Sequence, residues 1–276
     1  QSLLTIMEFG GPTDPTDGGT QPFTFEDRTS ALVFAGSQNI TLPWNGAEAD
    51  YSPKTVEMNV KFNESVKHSL VKSTDGANLT YFELEAIPTT GSFGKIKFSV
   101  SSSSDIHSLE IPESKIFDGK YKTIAITRDI NGGTSNLNLY LKESINDRLI
   151  INKKTSTNVN QTLEWGTGDT LLVASSSRLS LDEFRVWKDS LDDNIITNHT
   201  KQPDSIAGNN YTASSEDMLV RFDFEYPQNR FESSSILNVA ISNEYGMASG
   251  TLNNFTDQST YPYNHEVYER SVTAQV

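Results

Sequence analysis

The 276-residue sequence predicts an all-β protein: a two-sheet antiparallel β-sandwich with one short helix near residues 191–199. Three observations predict it. The chain holds 33 Ser, 27 Thr and 22 Asn. These side chains compete with helical hydrogen bonding and suit turns and strand surfaces. Apolar residues recur at every second position in segment after segment, which is the period of a strand with one buried face. Only one segment has helical spacing. Strands with one polar face belong to antiparallel sheets, and about ten of them at this spacing pack as two sheets face to face.

Each element follows from local pattern. Residues 1–24 read as a linker or opening strand, since Gly10-Gly11-Pro12 to Asp17-Gly18-Gly19 is turn-forming and has no apolar period. Regular structure is expected from Ala31, with Ala31–Ala35 and Asn39–Pro43 joined around Gly36-Ser37. In Thr55–Phe62 the residues Val56, Met58, Val60 and Phe62 fall on one face, and Thr55, Glu57, Asn59 and Lys61 on a polar one. The same rule selects strands at Tyr81–Ala86, Lys95–Val100, Tyr121–Arg128, Asn136–Leu141 and Thr170–Ala174. Asn131-Gly132-Gly133 supplies the positive-φ residues of a tight connection. Leu191, Ile195 and Ile196 have helical spacing, Asp192 and Asp193 favour a helix start, and Pro203 closes the segment. Val56, Met58, Val60, Phe62, Ile96, Phe98, Leu137, Leu139, Phe184 and Val186 are the expected core.

Composition also excludes functions. Lys and Arg number 22 against 36 Asp and Glu, a net charge of −14, which argues against a phosphate-backbone ligand. With no cysteine there is no disulfide framework, thiolate metal site or Cys nucleophile. No apolar run approaches the ~20 residues that cross a bilayer. Gln1 to Glu8 lacks the basic start of a secretion signal. The four histidines, at 68, 107, 199 and 265, are scattered. The start at Gln1 and the end at Val276 suggest a piece of a longer protein.

The most specific segment is Leu179-Ser180-Leu181-Asp182-Glu183-Phe184-Arg185-Val186-Trp187-Lys188-Asp189-Ser190-Leu191. It resembles the closing strand of laminin-G-like jelly rolls of the concanavalin A-like lectin/glucanase superfamily. There, Asp-Glu-(apolar)-Arg-(apolar)-(aromatic) precedes a polar turn, a Leu and a short helix. Ala31 to Ser37 resembles the family's opening strand, Asp118 to Arg128 the strand usually written around a Trp-His pair, and Leu137 to Leu141 the one after it. The resemblance covers residues 25–200 and implies a jelly roll. Within the signature, Phe184 and Val186 share a face with Asp182. Glu183 and Arg185 share the other face and can pair, with Trp187 over the arginine stem. Residues 201–276, with Met218 to Tyr226 alternating, resemble the strands that normally open such a domain. They are expected either to complete this sandwich from its C-terminal side or to start a second copy. The same stretch resembles structural proteins of marine tailed phages.

Candidate sites follow. Glu83 with Glu85 and Asp223 with Glu225 share strand faces, about 6.5–7 Å apart, within reach of paired-carboxylate chemistry. The superfamily's hydrolase strand carries three alternate acids, and that pattern is missing here, so a solvated acidic face and no catalysis are expected. No cofactor is required, although loop residues Asp75, Asn78, Asp105, Asp129 and Asn131 could ligate Ca2+. Trp44, Tyr140 and Trp165 are candidates for stacking on sugars. Seven Asn-x-Ser/Thr triplets, starting at 39, 63, 78, 160, 198, 210 and 254, are close to chance for this composition. The expected function is a non-enzymatic structural or adhesive module of a virion, a phage tail or head component. Its partners would be other virion proteins or copies of itself, and host surface glycans, with no nucleic acid and no membrane insertion. The alternative is a carbohydrate-binding module of a bacterial surface or secreted protein, and after it a glycoside hydrolase of the same fold.

Overall fold

A computed structural model describes residues 23–44, 53–75, 80–101, 106–131, 134–145, 148–160, 170–209, 217–224, 231–232, 235–236, 239–240, 249–255 and 265–274. The chain forms two compact units. The smaller combines Gln1–Arg28 with Glu269–Val276, and the larger is Thr29–Tyr268. The Gly10–Gly19 stretch lies outside the described residues.

The larger unit is two antiparallel sheets packed as a sandwich. In the first, β10 (Arg148–Asn160), β9 (Thr134–Ile145), β8 (Lys122–Asn131), β3 (Thr55–Phe62), β12 (Arg178–Trp187) and β1 (Phe23–Ala35) follow in that order. The upper half of β12 pairs instead with β13 (Met218–Phe222), Phe184 opposite Phe222 and Val186 opposite Val220. The second sheet runs β14 (Phe231–Glu232), β15 (Ser235–Ile236), β16 (Gly250–Asn253), β2 (Asn39–Pro43), β11 (Thr170–Val173), β4 (His68–Thr74), β5 (Thr80–Pro88), β6 (Gly94–Ser101) and β7 (Ile106–Ser114). Strands from residues 218–253 are therefore hydrogen-bonded into both sheets, β13 onto β12 and β16 onto β2.

Period-2 patterning accounts for most of this. All ten expected core residues are buried and join one cluster with Ile40, Phe82, Leu84, Ile124 and Phe222 between the sheets. Three strands escape the pattern. β4 carries a bulge between Ser69 and Val71 that breaks its alternation. β7 and β10 end their sheets. There Ile106, Ile150 and Ile151 are exposed, so burial imposes no period. The first strand begins at Phe23, eight residues before the expected Ala31, because Glu26-Asp27-Arg28 interrupts its apolar pattern.

The helix, α1 (Asp193–Lys201), follows an extended Asp192. It buries Ile196, His199 and Thr200 at i, i+3 and i+4, the spacing of one helix face. Thr55 holds its approach: its Oγ1 donates to the Asp189 carbonyl at 2.7 Å and accepts the Leu191 N–H at 2.9 Å. Lys142 Nζ, fully buried, donates to the Asp193 carbonyl at 2.9 Å and to Thr197 Oγ1 at 2.6 Å.

Two expectations about faces are corrected. The second face of β3 is not a solvated one: Thr55, Glu57 and Asn59 are buried, and α1 contributes His199 against Glu57. Asp182 does not share a face with Phe184 and Val186. The β12–β3 register skips from Leu181 opposite Val60 to Glu183 opposite Asn59. Asp182 is thus the extra residue of a β-bulge, and it accepts a 2.7 Å hydrogen bond from the Asn59 amide on the outer face.

Candidate functional site

Three polar regions could carry function: a buried charge network on the outer face of the first sheet, the outer face of the second sheet, and a cleft at the sandwich edge.

The network centres on Glu57. Arg185 Nη1 donates to its Oε1 at 3.2 Å, Trp187 Nε1 at 2.9 Å, and His199 Nδ1 lies 3.0 Å from both carboxylate oxygens. His199 Nε2 faces the Ala207 carbonyl at 2.8 Å. Carboxylate and carbonyl are both acceptors, so a doubly protonated ring fills both bonds. The Trp187 ring stacks on His199, 5.8 Å between centroids and 18° from parallel. Glu183 pairs with Arg185 at 3.1 Å and with Arg221 at 2.7 Å. Burial by itself would raise the Glu57 carboxyl. The charge and hydrogen bond of His199, with Arg185 and the Trp187 N–H, outweigh it and hold the group at about 2. Burial dominates at Glu183, whose carboxyl is pushed up despite Arg185 and Arg221. The space beside these groups is about 10 Å³, roughly one water. No substrate fits there, and the network serves to lock β3, β12, β13 and α1 together. The Asp182/Glu183/Arg185/Trp187 signature is part of it. Glu57, His199 and Arg221 complete it from other elements, and no local motif marks them. The one hint is a carboxylate at the centre of the β3 polar face.

The outer face of the second sheet is laced by cross-strand contacts. Glu83 accepts from Ser69 Oγ at 2.7 Å, Glu85 pairs with Lys67, and Lys95 meets Glu110 at 2.9 Å. Glu83 and Glu85 thus have separate partners. Asp223 is buried near Arg221, and Glu225 lies outside the described residues.

The stacking candidates are corrected. Trp44 is 1% exposed, edge-on to Phe82 at 5.8 Å. Tyr140 is 2% exposed, packed with Trp187, Leu191 and Ile196, with Lys142 and Lys153 Nζ 5.1 and 5.0 Å from its ring centre. Both rings fill the protein rather than face a ligand. Trp165 lies outside the described residues. Of the expected Ca2+ ligands, Asp75 accepts the Tyr81 O–H at 3.0 Å just after β4, and Asp129 and Asn131 lie at the end of β8 in the other sheet. Asn78 and Asp105 lie outside the described residues. Among the described residues no three His, Asp or Glu side chains are grouped to hold a metal.

The cleft lies between β7 and the β9–β10 hairpin, with a volume of about 280 Å³. Glu113 and Lys115 form one wall, Glu143, Ile150 and Asn152 the other, and Ile116 and Leu141 lie between. Lys122 lines it, tied to Asp118 Oδ1 and Oδ2 at 2.9 and 3.0 Å and to Glu143. Asp118 in turn accepts the Lys120 N–H at 3.1 Å. Glu113 has φ 35°, a left-handed conformation costly for a non-glycine residue and concentrated at functional sites. Carboxylate, amide and ammonium groups thus converge on a space with an aliphatic wall, the general make-up of a small-ligand site.

No protein-family description matches the chain, and no curated protein matches it. Among solved structures, the chain is similar to a native heptameric SAP-like pentraxin from Limulus polyphemus: TM-score 0.44, 14% identity, covering 66% of this chain and 84% of the pentraxin. The CBM40 of Ruminococcus gnavus IT-sialidase gives 0.41 and 13%, covering 62% and 97%. The CBM2 module of the evolved Dit of Lactobacillus casei BL23 phage J-1 gives 0.37 and 11%, covering 55% and 73%. Similarity this distant carries no conclusion about ligand or role.

Proposed function

We propose that this chain is a non-enzymatic, glycan-binding module of laminin-G-like jelly-roll type, exposed on a virion, and that the cleft between β7 and β9–β10 receives a sugar residue. The observation that carries the reading is the convergence of Glu113, Asn152 and Lys115 on a concavity of about 280 Å³. Sugar hydroxyls need donors and acceptors in one place, and the C–H face of a pyranose needs an apolar wall, here Ile150 with the edge of Leu141. Glu143 is already engaged by Lys122, which leaves Glu113 without a second free carboxylate for acid–base work in the cleft. The virion setting is supported by composition. A cysteine-free chain assembles in a reducing cytoplasm, and a net charge of −14 keeps many copies from clumping.

Glycan-array binding of the wild type, Glu113→Ala and Asn152→Ala tests this. The expected result is binding to a defined glycan set, weakened about tenfold or more in each variant, roughly 1.4 kcal/mol, with unchanged melting temperature. No glycan bound above background, or variants binding like wild type, overturns it. Cleavage of the bound glycan that is lost in Glu113→Gln would replace it with the hydrolase reading.

A further inference from the structure

We infer that the outer edge of β10 is a docking site for an extended, acidic segment of a partner protein, which adds to the first sheet as a further strand. The reasons lie in backbone, side chains and charge. β10 is 13 residues long, against a usual five or six, and it ends its sheet. Its inner edge pairs with β9 from Arg148 opposite Ile145 through Ser156 opposite Leu137 without a break. Among the described residues, no backbone hydrogen bond ties its outer edge to another strand. Such an edge presents a row of free N–H and C=O groups, and peptide-binding domains use it to capture an extended chain.

Edges are normally blunted. The second sheet does this at β7, with Pro112 inside the strand and Glu113 at φ 35°. At the other end of that sheet β14 is only two residues long. β10 has no proline, and its register shift falls beyond Ser156, so residues 148–156 offer a straight edge. Ile150 and Ile151 are 46% and 45% exposed. They are consecutive, so they face opposite sides of the sheet and offer one apolar contact on each side of an added strand.

Charge selects the occupant. In a chain of net charge −14, β10 carries Arg148, Lys153 and Lys154 and no acidic residue. Lys153 and Lys154 are exposed, one on each side of the strand. Lysines at an edge repel a second copy of the same edge, since antiparallel self-pairing about Ile150 and Ile151 sets Arg148 opposite Lys153. They attract a strand whose acids stand opposite them. The surface adjoins the cleft of the sugar-binding reading and shares Ile150 with it; Ile151, Lys153, Lys154 and the backbone edge serve docking alone, and Asn152 the cleft alone.

The test uses the full chain and a blocked, dye-labelled synthetic peptide. Its two adjacent glutamates are placed to face Lys153 and Lys154 and its two adjacent valines to face Ile150 and Ile151. Fluorescence anisotropy should show saturable binding that weakens as salt rises, because the charges are exposed. Lys153→Glu/Lys154→Glu should weaken it about tenfold or more, and Ile151→Pro, which removes one N–H and adds a ring at the edge, should abolish it. A scrambled peptide of the same composition controls for charge alone. Thermal melts confirm that each variant is folded; if Ile151→Pro is not, N-methylation of alternate peptide amides makes the same cut from the ligand side. No binding, or equal binding of the scrambled peptide, overturns the inference. So does a dimer of the chain in light scattering that Lys153→Glu/Lys154→Glu leaves intact and that blocks the peptide.

Discussion

Glu57 shows how a single residue can hold more of the structure than its neighbourhood in sequence suggests. It sits among Thr55, Asn59 and Lys61 on what reads as a polar strand face. In the fold it receives bonds from β12 and α1 at once. Glu57→Gln takes the carboxylate away from His199 and leaves buried Arg185 with Glu183 as its counter-charge, and the expected loss is roughly 3–5 kcal/mol in urea unfolding. The pH dependence has a definite sign. The Glu57 carboxyl is held at about 2 against an ordinary 4.5. Its contribution is complete above pH 4.5 and is lost as pH falls towards 2. His68 adds an earlier loss. Burial lowers its value below 6.5, against the Glu64 carbonyl bond. The neutral ring is fully used, Nε2–H donating to the Glu64 carbonyl at 3.0 Å and Nδ1 accepting the Arg178 N–H at 3.1 Å. The stability the neutral ring brings is therefore complete above pH 6.5 and declines below it. Urea titrations across pH should show wild type weakening in both windows, and Glu57→Gln weakening only in the His68 window below pH 6.5. The motif at Asp182–Trp187 was legible because its residues are contiguous. Glu57, His199 and Arg221 were not, because their meeting depends on strand register.

Among elements, β16 is sensitive to a single side chain. Gly250 packs so closely that an added Cβ would lie 2.6 Å from Ile40 Cγ2 and 3.0 Å from both Ile236 Cγ2 and the Phe222 ring. These atoms belong to β2, β15 and β13, so the crowding cannot be relieved by one flexible side chain. Gly250→Val should cost about 1–3 kcal/mol, the usual penalty of overpacking. Faster amide exchange at Ile40 and Thr41, whose neighbours across the ladder are Leu252 and Thr251, is the accompanying readout. Legibility varied by position in the sheet. Central strands alternate because one side of each is sealed by the opposing sheet. At β7 and β10 that constraint is absent, and in β4 the bulge shifts it by one residue. The helix was readable from Leu191, Ile195 and Ile196, since its apolar stripe is local.

For the whole unit, the C-terminal strands matter most. Phe222 of β13 stacks on Phe184 at 5.8 Å, and β16 pairs with β2 from Asn39 to Thr41. Removing all residues after Asn209 strips a partner from each sheet and uncovers that part of the core. The expected outcome is loss of the near-ultraviolet circular-dichroism signal and of a cooperative melt, with much of the far-ultraviolet β signal retained. A sharp melt of the truncated chain would show that residues 29–209 suffice. By itself the sequence determined the all-β class, the central strands, the helix and the ten core residues. Each of these depends on a spacing of two to four residues, which any segment carries within itself. Only the tertiary structure decided that residues 218–253 join both sheets, that Trp44 and Tyr140 are interior, and that a cleft opens beside β7 and β10. Those outcomes turn on which distant strands pair and in which register, and the hydrophobic period along one strand is the same for any partner.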